Sequence, residues 1–155
     1  MIIPLLILHG LLAAALLGAV THQALSTHRS RRPGDRASFV ARYQSVDAGS
    51  FHQVIVILFV LTCVGGAFLY PQYRVDVRPS LEERQLSAAN GIFEIKEHLA
   101  AIGLGVLPAY LTYWRRPLLP EYVSARRGLT WILALITWWN FVVGHLLNNL
   151  KGLLP

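Results

Sequence analysis

Charge is scarce in this chain: only 14% of its 155 residues are charged, where a soluble domain carries roughly 25%. With 54% hydrophobic residues, that shortage argues against an ordinary soluble globular domain. Cysteine is nearly absent too. Cys63 is the single one and lies inside an apolar run, which excludes a disulfide framework and a cysteine-based metal cage. There is no nucleotide-binding loop, no nucleophile triad, no internal repeat and no low-complexity tail. No segment between the apolar runs is large enough to hold a substrate pocket, so a stand-alone soluble catalyst is not indicated. The net charge of +6 does not point to nucleic acid, because the arginines fall in two short segments between apolar runs. That placement reads as membrane topology.

Four apolar runs are present: Ile2–Ala24, Phe51–Tyr70, Gly91–Trp114 and Leu129–Leu150. Each approaches or exceeds the ~20 residues an α-helix needs to cross ~30 Å of hydrocarbon. A bilayer offers no water to unpaired backbone groups, so such spans must be helical. The expected fold is an all-α integral membrane four-helix bundle, a single transmembrane domain over residues 1–155. The first run lacks a charged leading region and is long for a signal peptide, so it is expected to be a retained span.

Orientation follows from the arginines. Between the first two runs lie Arg29, Arg31, Arg32, Arg36 and Arg42 against Asp35 and Asp47, and the third connection has Arg115, Arg116, Arg126 and Arg127 against Glu121. The second connection balances Arg74, Arg78 and Arg84 with Asp76, Glu82 and Glu83. Basic short loops stay in the cytoplasm, which places both termini on the periplasmic side of a bacterial inner membrane. Tyr70 and Tyr73 then mark the outer interface, and Tyr110, Tyr113, Trp114 and Trp131 the inner one. Ser50 with Gln53 and Ser80 with Glu83 have capping-box spacing. The second pair predicts a short outer helix before the third span, with a break at Asn90-Gly91. Pro108 predicts a kink, and Pro33-Gly34 a cytoplasmic loop.

Ionisable residues within spans are costly and mark functional sites by default. His9, His22, His52, His98 and His145 fall in or at the ends of spans; only His28 is in a loop. His9, His98 and His145 lie at similar depths, within ~10 Å of the outer side. His22 and His52, each followed by glutamine, sit at the cytoplasmic boundary. A histidine near a helix end also serves as an interfacial hydrogen-bonding group, the blander alternative for all five. The densest feature is Phe93-Glu94-Ile95-Lys96-Glu97-His98. Glu94 and His98 share a helix face, continued by Ala101, Gly105 and Pro108, a small-residue stripe of the kind that packs against another helix. That face is expected to point into the bundle, with Glu97 beside it and Lys96 snorkelling outward. The carboxylates then bind a metal with histidines, relay protons toward a buried cofactor or quinone, or pair with arginines. The metal reading ranks last, since spans one, two and four supply no carboxylate. Asn140, Gly144 and Asn148 form a second narrow stripe, read as helix packing.

Two layers of histidines in a four-helix bundle suit two b-type haems, each held by imidazoles from facing helices. In its four-span plan and histidine layers the chain resembles small membrane cytochromes of the cytochrome b561 type. The resemblance implies one or two haems b, with His98 as an axial ligand opposite His145 or His9, and His22 and His52 in the second layer. His9 and His22 are thirteen residues apart, roughly 140° around the helix, and do not face one common column. The function so implied is an electron-transfer subunit linking a quinone or periplasmic donor to a partner complex. The alternative is a cofactor-free accessory subunit of a larger respiratory or photosynthetic assembly.

Overall fold

The structure, a computed structural model, describes residues 2–28, 39–43, 48–115 and 118–152. Among the described residues, six α-helices follow one another: α1 (Ile2–Ser26), α2 (Phe39–Tyr43), α3 (His52–Gln72), α4 (Arg78–Glu83), α5 (Ser87–Trp114) and α6 (Val123–Gly152). No strand occurs among the described residues. The stretches Ile2–Ser26, Gly49–Glu83 and Pro120–Asn149 are long and apolar enough to cross a membrane. Helix α5 has the length, at 28 residues, but Glu94, Lys96 and Glu97 lower its hydropathy. Arg29, Arg31, Arg32, Arg36, Asp35, Asp47, Arg116 and the Pro33-Gly34 pair lie outside the described residues.

Local details depart from the sequence expectations. The cap of α3 is Phe51, without a side-chain capping bond, and Ser80 sits inside α4, whose cap is Val77; neither capping box forms at a helix start. Pro71 lies inside α3 and withholds one N–H from its ladder. A π turn, Tyr73–Val77, follows and carries the helical backbone into α4. The short outer helix is present, but the break falls at Gln85 and Leu86, and α5 runs unbroken through Asn90-Gly91. Gln85 takes the left-handed conformation, φ 58°, and the Leu86 N–H reaches back to the Leu81 carbonyl at 2.9 Å. This is a Schellman-type stop with glutamine where glycine is usual. Gln85→Gly should therefore raise stability by about 0.5–1 kcal/mol, the left-handed penalty less the added chain entropy. Thermal unfolding in detergent would read it, and a lowered midpoint would contradict it.

The four long helices form a ring in which α1 touches α3 and α6, and α5 touches α6 and, most sparsely, α3. Neighbours are antiparallel. Gly65 lies against His9 while His22 packs on Phe51; Gly103 meets Phe59 while Asn90 accepts from the Tyr73 hydroxyl; Gly144 lies beside Lys96 while Thr130 accepts from Trp114. All four helices are apolar around much of their girth, so periodicity says little about which face turns inward. Burial resolves it into seams of three-four spacing, the knobs-into-holes register. They run through Leu16, Val20 and Gln23 on α1, Ile55 and Phe59 on α3, Gly103, Leu107, Tyr110 and Trp114 on α5, and Arg126, Thr130, Leu133 and Thr137 on α6.

At the His22 end, these seams are tied by hydrogen bonds. The buried Tyr110 hydroxyl donates to the Gln23 side-chain oxygen, and the Trp114 indole donates to Thr130 Oγ1 at 3.0 Å. Tyr110 and Trp114 are thus core residues, contrary to their expected place at the interface. A polar tip inside an apolar core needs a partner, and each finds one on a neighbouring helix. Trp131 does lie nearer the surface, donating to His28 Nδ1 at 3.3 Å. Trp138 donates to Thr21 Oγ1 at 3.0 Å.

Candidate functional site

At the opposite end, the same four seams carry smaller or polar residues and do not close. A cavity of about 230 Å³ lies between α1, α3, α5 and α6, lined by His9, Ala13, Thr62, Cys63, Lys96, Glu97, Ala100, Thr137, Asn140 and the rings of Phe59 and Phe141. It adjoins a second cavity of about 330 Å³ that extends past Ile2, Leu6, Tyr73 and Phe93 toward the helix ends. His9, Lys96, Glu97 and Asn140 line both, so a polar waist separates two apolar lobes. The inner lobe also reaches Ala101 and Leu104, which are exposed on the outside of α5. The chamber therefore opens sideways along the α3–α5 seam.

The waist is built by registers on each helix. Lys96 Nζ meets Glu97 Oε1 at 2.7 Å, with the lysine side chain 15% and the glutamate 38% exposed. The ammonium also lies 5.0 Å from the centre of the Phe93 ring, a cation–π distance. The lysine stem passes beside Gly144, where a β-carbon would stand 3.7 Å from Lys96 Cε, an ordinary contact. His9 packs against the bare backbone of α3, where a β-carbon on Gly65 would lie 3.2 Å from its Nδ1. Among the described residues, His9 Nδ1 and Asn140 Oδ1 are buried with no hydrogen-bond partner. Both belong to residues that line the cavity, but the two atoms themselves are walled off by protein.

This arrangement reverses the expected facing of α5. Glu94 and His98 are exposed, as are Ala101, Gly105 and Pro108 below them. Lys96, expected to snorkel outward, points in. Glu94 lies 3.7 Å from Arg78 Nη1, and Arg78 is also bonded to Glu82 at 2.7 Å; of the roles considered for it, pairing with an outer arginine matches its place. His98 Nδ1 bonds the Glu94 carbonyl at 2.7 Å on the same exposed face. The wheel positions of Glu94 and Lys96 are nearly opposite, and the buried seam through Gly103, Leu107 and Tyr110 puts the lysine inside.

The remaining histidines separate. His9 and His145 line the outer lobe together, His145 being exposed and its ring parallel to that of Phe141, ring centres 6.4 Å apart. His22 is buried, edge-on to Tyr43 at 4.4 Å and 5.2 Å from Phe51, with Nε2 unpartnered among the described residues. His52 Nδ1 bonds the Gly49 carbonyl at 2.6 Å. His28, expected to be a solvated loop residue, is exposed but docked edge-on against Trp131.

His98, the expected axial ligand, lies on the exposed face of α5, away from the outer lobe that His9 and His145 line. Lys96 lines that lobe together with them. Among the described residues, no three His, Cys, Asp or Glu side chains gather to hold a metal ion. Lys96, Asn140, Thr62 and Thr137 were not among the sequence candidates, and the signal for them was register: Lys96 lies seven residues before Gly103, and Asn140 seven after Leu133. No protein-family model, curated protein or solved structure matches this chain.

Proposed function

We propose that this protein is a multi-pass subunit of an electron-transfer assembly in a bacterial inner membrane, and that its chamber holds the headgroup of a quinone-class carrier. The observation carrying this reading is the polar waist within apolar walls, reached from the side through the α3–α5 seam. Such carriers dissolve in the bilayer, so a lateral opening suits them better than an aqueous mouth. Phe59, Phe141 and the alanines offer apolar contact to a ring, while Lys96 offers a hydrogen bond to one of its oxygens. Glu97, at the edge of the chamber, can exchange a proton with a bound oxygen. Titrating the purified protein with a short-tailed benzoquinone and its quinol should give saturable binding of at least one form near one equivalent. Ala100→Phe, which fills the inner lobe, should abolish it. Saturation by neither form would sink the proposal.

The proposal includes α5 as a fourth crossing. Its two inward charges are paired with each other, which lowers the cost of placing them in hydrocarbon. With four crossings and the arginine-rich connections in the cytoplasm, both termini are periplasmic. A reporter fused after Pro155 should then be active only as a periplasmic enzyme; cytoplasmic activity would overturn this orientation.

The cofactor-free accessory role is a second reading, favoured by the small-residue face of α5. Ala101, Gly105 and Pro108 are exposed, and faces of this kind allow another helix to approach closely. Gly105→Leu should weaken co-purification of a partner while leaving ring binding intact.

A further inference from the structure

We infer that the outer seam between α1 and α6 binds an anionic phospholipid, with its phosphate at Arg127 and His28 and an acyl chain over Trp131 and Trp138. This seam is separate from the chamber. It lies at the other end of the bundle, where Tyr110 and Trp114 make their hydrogen bonds. Charge at that end is one-sided. Among the described residues, Arg42, Arg115, Arg126 and Arg127 stand there against one carboxylate, Glu121, while the other acidic residues lie toward the opposite end. Basic side chains at the boundary of a membrane attract acidic lipid headgroups.

Two donors are fixed at the mouth of the seam. Arg127 donates from Nη2 to the Thr27 carbonyl at 3.1 Å, just past the last turn of α1, where backbone acceptors lack helical partners. That bond holds the exposed guanidinium across the seam and leaves the other N–H groups of its planar fork for a phosphate. Arg126, its neighbour, is buried and donates to the Leu119 carbonyl at 2.9 Å, so only Arg127 of the two is presented at the surface. His28, next to Thr27, is exposed as well. The Trp131 indole can only donate, so His28 Nδ1, 3.3 Å away, accepts, and the ring hydrogen sits on Nε2 as a second donor. Beyond these groups the seam turns apolar. The Trp138 indole donates to Thr21 Oγ1 at 3.0 Å, so both indole N–H groups are used across the seam and ring carbon is left to the bilayer. Leu135, between them in sequence, is exposed. Arg127 and Trp138 are ~16 Å apart along α6, about half of the ~30 Å hydrocarbon core. A phosphate site at the boundary, continued by an apolar track one leaflet deep, fits a phospholipid better than a free anion.

The test is a pair of titrations of the delipidated full-length protein in a neutral detergent, with bound lipid counted by native mass spectrometry. One uses phosphatidylglycerol and the other phosphatidylcholine with the same acyl chains. The anionic lipid should bind roughly fivefold tighter or better, the factor that one basic residue near a membrane surface supplies. Arg127→Gln should narrow that ratio to about twofold or less. Arg127→Lys keeps the charge and should keep most of the ratio, which guards against a folding defect in the glutamine variant. His28→Phe keeps a ring against Trp131 but removes the donor, and should weaken phosphatidylglycerol binding about twofold or more. Arg115→Gln removes an exposed charge at the end of α5, away from the seam, and should leave the ratio unchanged. Equal affinities for the two lipids would overturn the inference. Equal losses from Arg127→Gln and Arg115→Gln would also overturn it, since they would mean diffuse attraction to the whole basic end. Displacement of the bound lipid by excess inorganic phosphate would reject the apolar track and leave only an anion site.

Discussion

Replacing Gly103 with leucine should destabilise the protein by about 3 kcal/mol or more, the upper range for overpacking a close-packed interior. A β-carbon at Gly103 would overlap Phe59 Cζ, and Phe59 is itself buried. Even alanine cannot be added without moving that ring. Gly103→Ala gains up to ~1 kcal/mol of helix propensity but forces a buried aromatic off its seat, for an expected net loss of about 1–2 kcal/mol. Gly105 provides the contrast. It is two residues away on the same helix, exposed, and an added β-carbon there meets nothing within 4 Å. Gly105→Ala should therefore be neutral or stabilising by up to ~1 kcal/mol. Thermal unfolding in detergent would read all three, and Phe59→Leu should restore most of what Gly103→Ala loses. Equal effects at the two glycines would mean that α3 and α5 do not approach each other at this seam. Because the chamber opens along the same seam, Gly103→Leu should also weaken ring binding.

The same two glycines show where sequence reasoning reached its limit. The apolar runs place the four long helices to within a few residues at most ends, because the bilayer's length requirement is a strong constraint. Orientation about each helix axis is another matter. On α5, apolar residues occur all round, and the small residues Ala101 and Gly105 line up below Glu94 and His98 as though for close packing. The contact that needs a glycine is instead at 103, in register with Leu107, Tyr110 and Trp114. Tyr110 and Trp114 read as interfacial anchors because their polar tips suit a headgroup layer. Only the positions of Gln23 and Thr130 on neighbouring helices explain why the core holds them. Similarly, equal depth brought His9, His98 and His145 into one layer, but depth carries no information about facing, and two of the three are exposed. Among the described residues, two paired charges and two orphaned polar atoms are what mark the chamber, and neither feature is visible until the helices are side by side.

The pair at the waist should be strongly asymmetric. Glu97→Leu leaves the Lys96 ammonium, 15% exposed, without its counter-ion beside an apolar cavity. Breaking a fully buried pair costs ~3–5 kcal/mol. Glu97 is 38% exposed, so part of that attraction is already screened, and about 2 kcal/mol is the expected loss. Lys96→Met should cost less, under ~1 kcal/mol. It leaves the more exposed partner, which can turn toward the surface, and methionine retains most of the stem's packing against Phe93 and Gly144. The double variant, Lys96→Met with Glu97→Leu, should recover most of the stability lost by Glu97→Leu alone, since no unpaired charge remains. That recovery is the decisive measurement, read as a coupling energy from a double-mutant cycle of thermal unfolding. Losses that simply add would mean each side chain is held by something other than the other. Quinol titration of the double variant separates stability from function. With the ammonium and carboxylate gone, the chamber keeps its apolar walls, so ring binding should weaken without being abolished.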